Sequence, residues 1–381
     1  MGDTLKSRLR AFWVQVHLWL GLTLGVVGAL LGISGCILVY DHEIDEWLHP
    51  VRYAVNGSGS AFKLADYARI AEEELGEKAR AGMIRLPDRA IGPVIVFVRA
   101  EGGFQRVYID PSDGEVLDRA GNRDLIPWMH NFHESLMLRE HWGRELVGIV
   151  GIAMLISSLS GIYLWWPVRR FRRETFGFRR GFALHLNLHY TIGFWGALVL
   201  ATLSFTGIFL CFPEAGRSVV AAFGKVSPSP RGMQSASTAG RPIGVDEAAD
   251  IARAAYPDSQ VTSVGLPAGP RGVYRVSLRV DPDANAREGP AVFIDPGSRE
   301  VMLRIDRTTR GGGDTFLLWQ RILHEGSAGG EAGRIVTFLG GLMPPILMVT
   351  GLLIWLRKRR SKRAAASTAY TNHGSPRATD Q

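Results

Sequence analysis

Four apolar runs constrain this chain more than any other feature. They cover roughly 12–40, 144–167, 184–212 and 334–356. Each reaches the ~20 residues that a helix needs to cross a hydrocarbon core. In lipid every backbone N–H and C=O must be satisfied within the segment, so runs of this length are expected to be helices. The remaining sequence then divides itself. An N-terminal stretch with the first helix takes 1–40, and long loops take 41–143 and 213–333. A short loop takes 168–183, and a tail takes 357–381.

The formal charge of +8 has definite addresses. Lys6, Arg8 and Arg10 precede the first run. Arg169, Arg170, Arg172, Arg173, Arg179 and Arg180 separate the second and third. Arg357, Lys358, Arg359, Arg360, Lys362 and Arg363 follow the fourth. The positive-inside bias places all three groups in the cytoplasm, with both termini, and both long loops on the opposite side. The basic balance is therefore topology, and nucleic acid is not an expected partner. Ala364–Gln381 reads as a disordered tail.

The chain also repeats itself. His17-Leu-Trp-Leu-Gly21 opens the first run and His189-Tyr-Thr-Ile-Gly193 the third, and the distance from His17 to Ser34-Gly35 equals that from His189 to Thr206-Gly207. This is a tandem duplication of a two-helix unit. A Ser/Thr-Gly pair stands in every run: Ser34-Gly35, Ser160-Gly161, Thr206-Gly207 and Thr350-Gly351. One small pair per helix reads as close helix packing. That recurrence, and the length of the first run, argue against reading Ile33-Ser34-Gly35-Cys36 as a cleaved lipoprotein signal. Cys36 and Cys211 both fall in apolar runs, so the long loops are not disulfide scaffolds.

The long loops repeat the same order of elements. Lys63–Leu75 and Val245–Tyr256 have helical apolar spacing. Val94–Arg99, Arg106–Ile109 and Glu115-Val-Leu read as strands, and so do Val273–Val280, Ala291–Ile294 and Glu300-Val-Met. Asp-Pro turns follow Tyr108-Ile109 and Phe293-Ile294. Each loop is thus a small α+β module, short of a core of its own, that must lean on the membrane helices or on its twin. Lys225–Arg241, rich in Ser, Pro and Gly, is a flexible lead-in to the second module. Asp124–Ser135 and Asp314–Gly326 read as short Asp-capped helices at the outer surface, and glycines from Gly326 to Gly333 interrupt the second.

Ten histidines are present, and four fall at repeat-related places. His17 matches His189 near the inner face, and His133 matches His324 near the outer face. Parallel repeats are related by an axis along the membrane normal, so matching residues near it face one another. Two facing imidazoles are the axial set of a bis-histidine haem. The other readings are a polar group bonded to a neighbouring helix and a zinc site, for which the membrane runs offer no carboxylate or thiolate partners. His185 has no twin, since Trp13 stands at its position. It is either an alternative inner ligand or a neighbour of a haem propionate. His130 and His141 lie near the outer pair and are candidate substrate contacts. The nucleotide, flavin and serine-hydrolase motifs are missing. Electrons, if they flow, come from a membrane quinol or another protein.

Taken together, these residues resemble the PepSY-associated membrane-helix family. The resemblance rests on His17-x-x-x-Gly21, His189-x-x-x-Gly193, the Ser/Thr-Gly pairs, the two Ile-Asp-Pro modules, His133-Glu134, His324-Glu325, Trp165-Trp166-Pro and Trp355-Leu-Arg-Lys. It covers about 10–360. Within the family the chain is most similar to inner-membrane ferric-siderophore reductases of the ferrioxamine-utilisation type. The resemblance implies four transmembrane helices in two tandem repeats and two PepSY-like extracytoplasmic α+β modules. It implies a multi-pass protein of the bacterial inner membrane, with two b-type haems held by His17, His189 (or His185), His133 and His324. The implied activity is an oxidoreductase that delivers electrons to siderophore-bound iron, a hydroxamate type among the candidates, for iron transport. Its electron donor would be a quinol or a cytoplasmic reductase. Trp128, Met129, His130, His141 and Trp142 are the expected substrate surface. The rival reading is a membrane-anchored PepSY regulatory protein, not an enzyme, whose modules bind a protease or other partner.

Overall fold

A computed structural model describes residues 2–57, 62–89, 91–101, 103–166, 182–229, 232–235, 242–280, 289–306 and 308–373. It divides into two compact units. One comprises Met1–Val39, Phe132–Phe212 and Leu323–Gln381; the other comprises Tyr40–Asn131 and Pro213–Ile322.

The first unit is helical. It contains α1 (Gly2–Thr23) and α2 (Gly25–Val39), then α6 (Gly143–Trp165), α7 (Phe182–Trp195), α8 (Ala197–Cys211) and α12 (Gly330–His373). Gly143–Trp165 and Gly330–Ala365 are each long and apolar enough to cross a membrane. The pairs α1–α2 and α7–α8 pass the same test only when each is taken as one span, bent by 58° and 60°. The bends fall at Leu24 and Gly196, and hydrogen bonds from Leu24 N to Leu20 O and from Gly196 N to Ile192 O carry the helical ladder into each. Beside the first bend, the Thr23 hydroxyl donates to Trp19 O, a back-bond that bends helices. α2 lies against α12, and α6 against α1 and α8. Where α2 meets α12, a Cβ on Gly32 would fall 2.4 Å from Gly341 O, so these backbones touch.

Two expectations for this unit change. α12 does not stop near residue 356 or give way to a tail at Ala364, but continues through His373. The segment is rich in Lys, Arg and Ala, good helix formers, and meets no Gly or Pro before Gly374. Residues 374–381 of the expected tail, and 168–181 of the expected basic loop, lie outside the described residues.

The second unit is built on one sheet. Its helices are α3 (Asp41–Leu48), α4 (Leu64–Leu75), α9 (Pro213–Ala221) and α10 (Val245–Ala255). Two more, α5 (Leu125–Ser135) and α11 (Gly312–His324), end in residues of the helical unit. The strands are β1 (Arg80–Arg85), β2 (Val94–Ala100), β3 (Gly103–Ile109), β4 (Val116–Ala120), β5 (Gln260–Gly265), β6 (Tyr274–Arg279), β7 (Ala291–Ile294) and β8 (Val301–Ile305). Their order is β4-β3-β2-β1-β5-β6-β7-β8, antiparallel throughout.

The two modules therefore lean on each other, joined where Ile84 pairs with Val264. Val94, Val96, Val98, Val107 and Ile109 are fully buried with Val264, Val276, Leu278, Val292 and Ile294. α4 and α10 supply Tyr67, Ala71, Ala248, Ala249 and Ala252 to the same core. Asp246 of α10 accepts from the Leu64 and Ala65 backbone N–H groups at the start of α4, two of the four donors a helix leaves open there. Neither joining strand is among the sequence-expected strands. β1 and β5 carry Arg80, Gly82, Arg85, Gln260 and Ser263, and this mixed composition hides their alternation. Asp314 lies inside the first turn of α11, not at its cap, and its carboxylate accepts from Ser227 N and Gly311 N. Residues 230–231 and 236–241 of the expected flexible lead-in are outside the described residues.

Candidate functional site

His17 sits on α1, one turn before Gly21, and His189 occupies the matching place on α7. Their ring centroids are 6.3 Å apart and their planes stand at 90°. His133 closes the last turns of α5 and His324 ends α11. Those rings are 6.2 Å apart, inclined by 51°. The repeat-matched histidines thus meet in the two expected pairs, both within the helical unit.

What holds each ring is a feature the sequence reading assigned to something else. The His17 Nδ1 lies 3.1 Å from Ser160 Oγ, and the His189 Nδ1 lies 3.0 Å from Thr350 Oγ1. At the other pair, His133 Nδ1 is 2.9 Å from Ser34 Oγ and His324 Nδ1 is 2.9 Å from Thr206 Oγ1. All four hydroxyl residues are buried and belong to the four Ser/Thr-Gly pairs. The glycine beside each hydroxyl makes room for the ring. A Cβ on Gly35, Gly161, Gly207 or Gly351 would come 3.1–3.3 Å from the Cε1 of the seated imidazole. The pairs are therefore imidazole seats, and the close contact they allow is ring against helix. Position along the runs could have revealed this: His133 and His324 precede the second and fourth runs, at the end of the helices where Ser34 and Thr206 stand, and Ser160 and Thr350 stand at the end that carries His17 and His189.

The hydrogen-bond directions fix the tautomer. Nδ1 of His133 also meets Leu31 O at 3.0 Å, and Nδ1 of His324 meets Leu203 O at 3.0 Å. A carbonyl only accepts, so Nδ1 carries the proton in both. The Ser157 and Leu347 backbone groups stand in the corresponding places beside the His17 and His189 rings. Each hydroxyl can donate its own proton along its own helix, from Ser34 to Leu31 O, Ser160 to Ser157 O, Thr206 to Thr202 O and Thr350 to Ile346 O. Its lone pair is then available to the imidazole. Nε2 is left as the basic nitrogen of every ring, the form in which imidazole binds a metal.

Both separations suit one metal atom between two imidazoles. Bonds of roughly 2 Å from a nitrogen of each ring place the ring centres about 6.3 Å apart. Among the described residues no three His, Cys, Asp or Glu side chains gather as a metal cluster. Each pair so offers two ligands, which suits a metal whose other ligands come from a macrocycle. Beside the His17–His189 pair there is room: a Cβ on Gly21 would touch nothing within 4 Å, and one on Gly193 would meet only Leu347 at 3.7 Å. These glycines lie one turn from His17 and His189 on the same helix faces.

His185 lies one turn before His189 and is half-buried. The ring that stands against His17, and that occupies a seat, is that of His189.

The expected substrate residues are found in both units. In the sheet unit, Trp128 is exposed and Met129 half-buried on α5, and His130 Nε2 is 3.1 Å from Asp41 Oδ2. Burial pushes the Asp41 carboxyl up, but the hydrogen bond and charge of His130, with Arg106, hold it below the ordinary carboxylate range. In the helical unit, His141 and Trp142 are exposed before α6, and Trp142 has a left-handed backbone, φ 56°.

An apolar helical unit with two seated histidine pairs, joined in sequence to a twinned α+β sheet, defines a membrane protein built by duplication. A family model described as PepSY-associated TM region matches residues 14–358, and the chain belongs to that family. No curated protein matches it.

Proposed function

We propose that the protein is a di-haem transmembrane electron-transfer protein that reduces ferric siderophore iron to Fe(II) on the periplasmic side of the bacterial inner membrane. The observation that carries this reading is the pairing of four imidazoles at two places, 6.3 and 6.2 Å apart, each with Nδ1 engaged. Haem bound at each pair would supply a one-electron carrier. His17 and His189 would hold the inner one, and His133 and His324 the outer one. α1–α2 and α7–α8 would each act as one bent span, giving four spans with both termini in the cytoplasm, as the Lys and Arg clusters ask. His17 and Ser34, which seats His133, are separated by seventeen residues, about 25 Å of helix path. The two pairs would thus stand near opposite faces of a core about 30 Å thick.

The substrate follows from iron chemistry. Fe(III) is a hard ion held by oxygen chelators such as hydroxamates, and one added electron gives a softer Fe(II) that they hold less well. No ligand bond needs hydrolysis. Trp128, Met129, His130, His141 and Trp142 are the proposed docking residues, and a quinol or a cytoplasmic reductase is the proposed donor. A purely regulatory anchor has no use for four seated imidazoles. The test is to reduce the detergent-solubilised protein with dithionite, remove the excess, and add a ferric hydroxamate with ferrozine. The haem spectrum should return to the oxidised form as Fe(II)–ferrozine appears. Protein that stays reduced with several ferric siderophores, yet reoxidises with another acceptor, would remove the iron-reductase assignment.

A further inference from the structure

We propose that Ser34, Ser160, Thr206 and Thr350 are the positioning residues of the two histidine pairs. Each orients its imidazole and, with the backbone carbonyl beside it, holds it as the Nδ1–H tautomer before any ligand arrives, and each raises the basicity of the ligating Nε2. This rests on the reading that the pairs take haem.

The argument starts from recurrence. The same arrangement appears four times: a buried hydroxyl 2.9–3.1 Å from Nδ1, and a glycine next to it under Cε1. At His133 and His324 the carbonyl three residues before the hydroxyl, Leu31 or Leu203, shares the Nδ1–H bond; the Ser157 and Leu347 backbone groups stand in the corresponding places beside His17 and His189. The arrangement is also crossed. His17 on α1 is seated by α6, and His133, which precedes α6, is seated by α2. His189 on α7 is seated by α12, and His324, which precedes α12, is seated by α8. Seats therefore form within a repeat, whereas pairs form between repeats. Removing one hydroxyl acts on one ring of one pair and leaves the other pair alone. Hydroxyls that served only to glue helices would have no reason to meet the same nitrogen of a histidine each time.

The chemistry gives the sign. A hydrogen bond accepted from the remote N–H of a ligating imidazole orients the ring and raises the basicity of the ligating nitrogen. A more basic ligand favours the ferric over the ferrous state. Loss of the hydroxyl should therefore raise the potential of that haem and weaken its retention, with loss of such outer contacts typically costing about 10–100-fold in metal affinity. The repeat itself supplies the rescue, because Ser and Thr occupy corresponding seats: Ser160 matches Thr350, and Ser34 matches Thr206.

The experiment uses the full chain in detergent. The wild type is compared with Ser160→Ala and Thr350→Val for one site, Ser34→Ala and Thr206→Val for the other, and Ser160→Thr and Thr350→Ser as conservative swaps. The readouts are resolved redox titration of the two haems, haem retention, and histidine tautomer by nitrogen-15 NMR. Each hydroxyl-less variant should raise one potential only, lose that haem at least tenfold more readily, and shift one histidine partly from the Nδ1–H form, since the neighbouring carbonyl remains. The swaps should behave as wild type. Unchanged potentials, retention and tautomers in variants that keep two haems would overturn the inference and leave the haem reading standing. A wild type that binds no haem would remove the haem reading. The tautomer claim would then be judged by NMR alone, and Nδ1–H populations equal in wild type and variants would overturn it. A variant that fails to insert is judged by its counterpart on the other ring of the same pair.

Discussion

His133 hydrogen-bonds Ser34, ninety-nine residues earlier in the chain, and faces His324 at 6.2 Å. One bond lies inside its own repeat and the facing ring lies in the other. His133→Ala should therefore remove one haem of two and leave the His17–His189 site loaded. The fold should survive, since the ring is replaced by space beside Gly35, not by a clash. Haem per chain, with gel filtration in detergent, measures both. Loss of both haems from a well-folded variant would contradict separate sites.

Arg52 is the hub of the first module. It is almost fully buried, and its guanidinium donates to Asp45 at 2.7 Å, Asp118 at 2.7 Å and Asp124 at 2.6 Å. Tyr53 and Tyr108 donate to the same Asp45 carboxylate. Arg52→Ala leaves the buried Asp45 without a countercharge, a change that typically costs about 3–5 kcal/mol. A thermal-shift comparison of intact proteins should show a large drop for this variant. A small one would mean that water or a rearranged side chain replaces the arginine.

The duplicated turns give a sharper test, because one copy is the control for the other. After the matched Ile-Asp-Pro sequences, Gly114 has φ 78° and Arg299 has φ 66°. A side chain in this left-handed region costs roughly 1–2 kcal/mol, and glycine none of it. Arg299→Gly should therefore stabilise the protein by up to about 1 kcal/mol, reduced by loss of the exposed contact to Glu247 at 3.2 Å. Gly114→Ala should destabilise it, since a Cβ there also falls 2.9 Å from Phe62 Cζ. Opposite signs in the melting temperature are the expected pattern.

Asp41 sets a pH dependence. Its carboxyl is held below its unfolded value, burial being outweighed by the His130 hydrogen bond and charge. Its contribution is therefore present above the unfolded carboxylate pKa, about 3.9, and is lost as pH falls through the folded value. Asp41→Asn should remove that contribution at neutral pH and flatten the acid limb of the stability curve below about pH 4. Parallel acid limbs for variant and wild type would place the stabilising proton linkage elsewhere.

The apolar runs, the duplication and the module order were legible in the sequence because each is a periodicity or a repeat. Ala291–Ile294 ends where alternation ends, and α4 and α10 begin where the apolar spacing begins. β1 and β5 were not legible. Their residues are polar enough to read as loop, and their role, to pair with each other, is a relation between two distant segments. The histidine pairs were legible because duplication places equivalent residues about a common axis. The seats were half legible. Ser34-Gly35 and its three counterparts stood out as small residues on every run, but smallness alone suits helix contact as well as an imidazole. Only the positions of His17, His133, His189 and His324 against them separate the two.

Counting haem tests the central claim most directly. Pyridine haemochrome on protein purified from haem-replete cells, with protein quantified independently, should give two b-type haems per chain. A value near zero in well-folded protein would contradict the electron-transfer account.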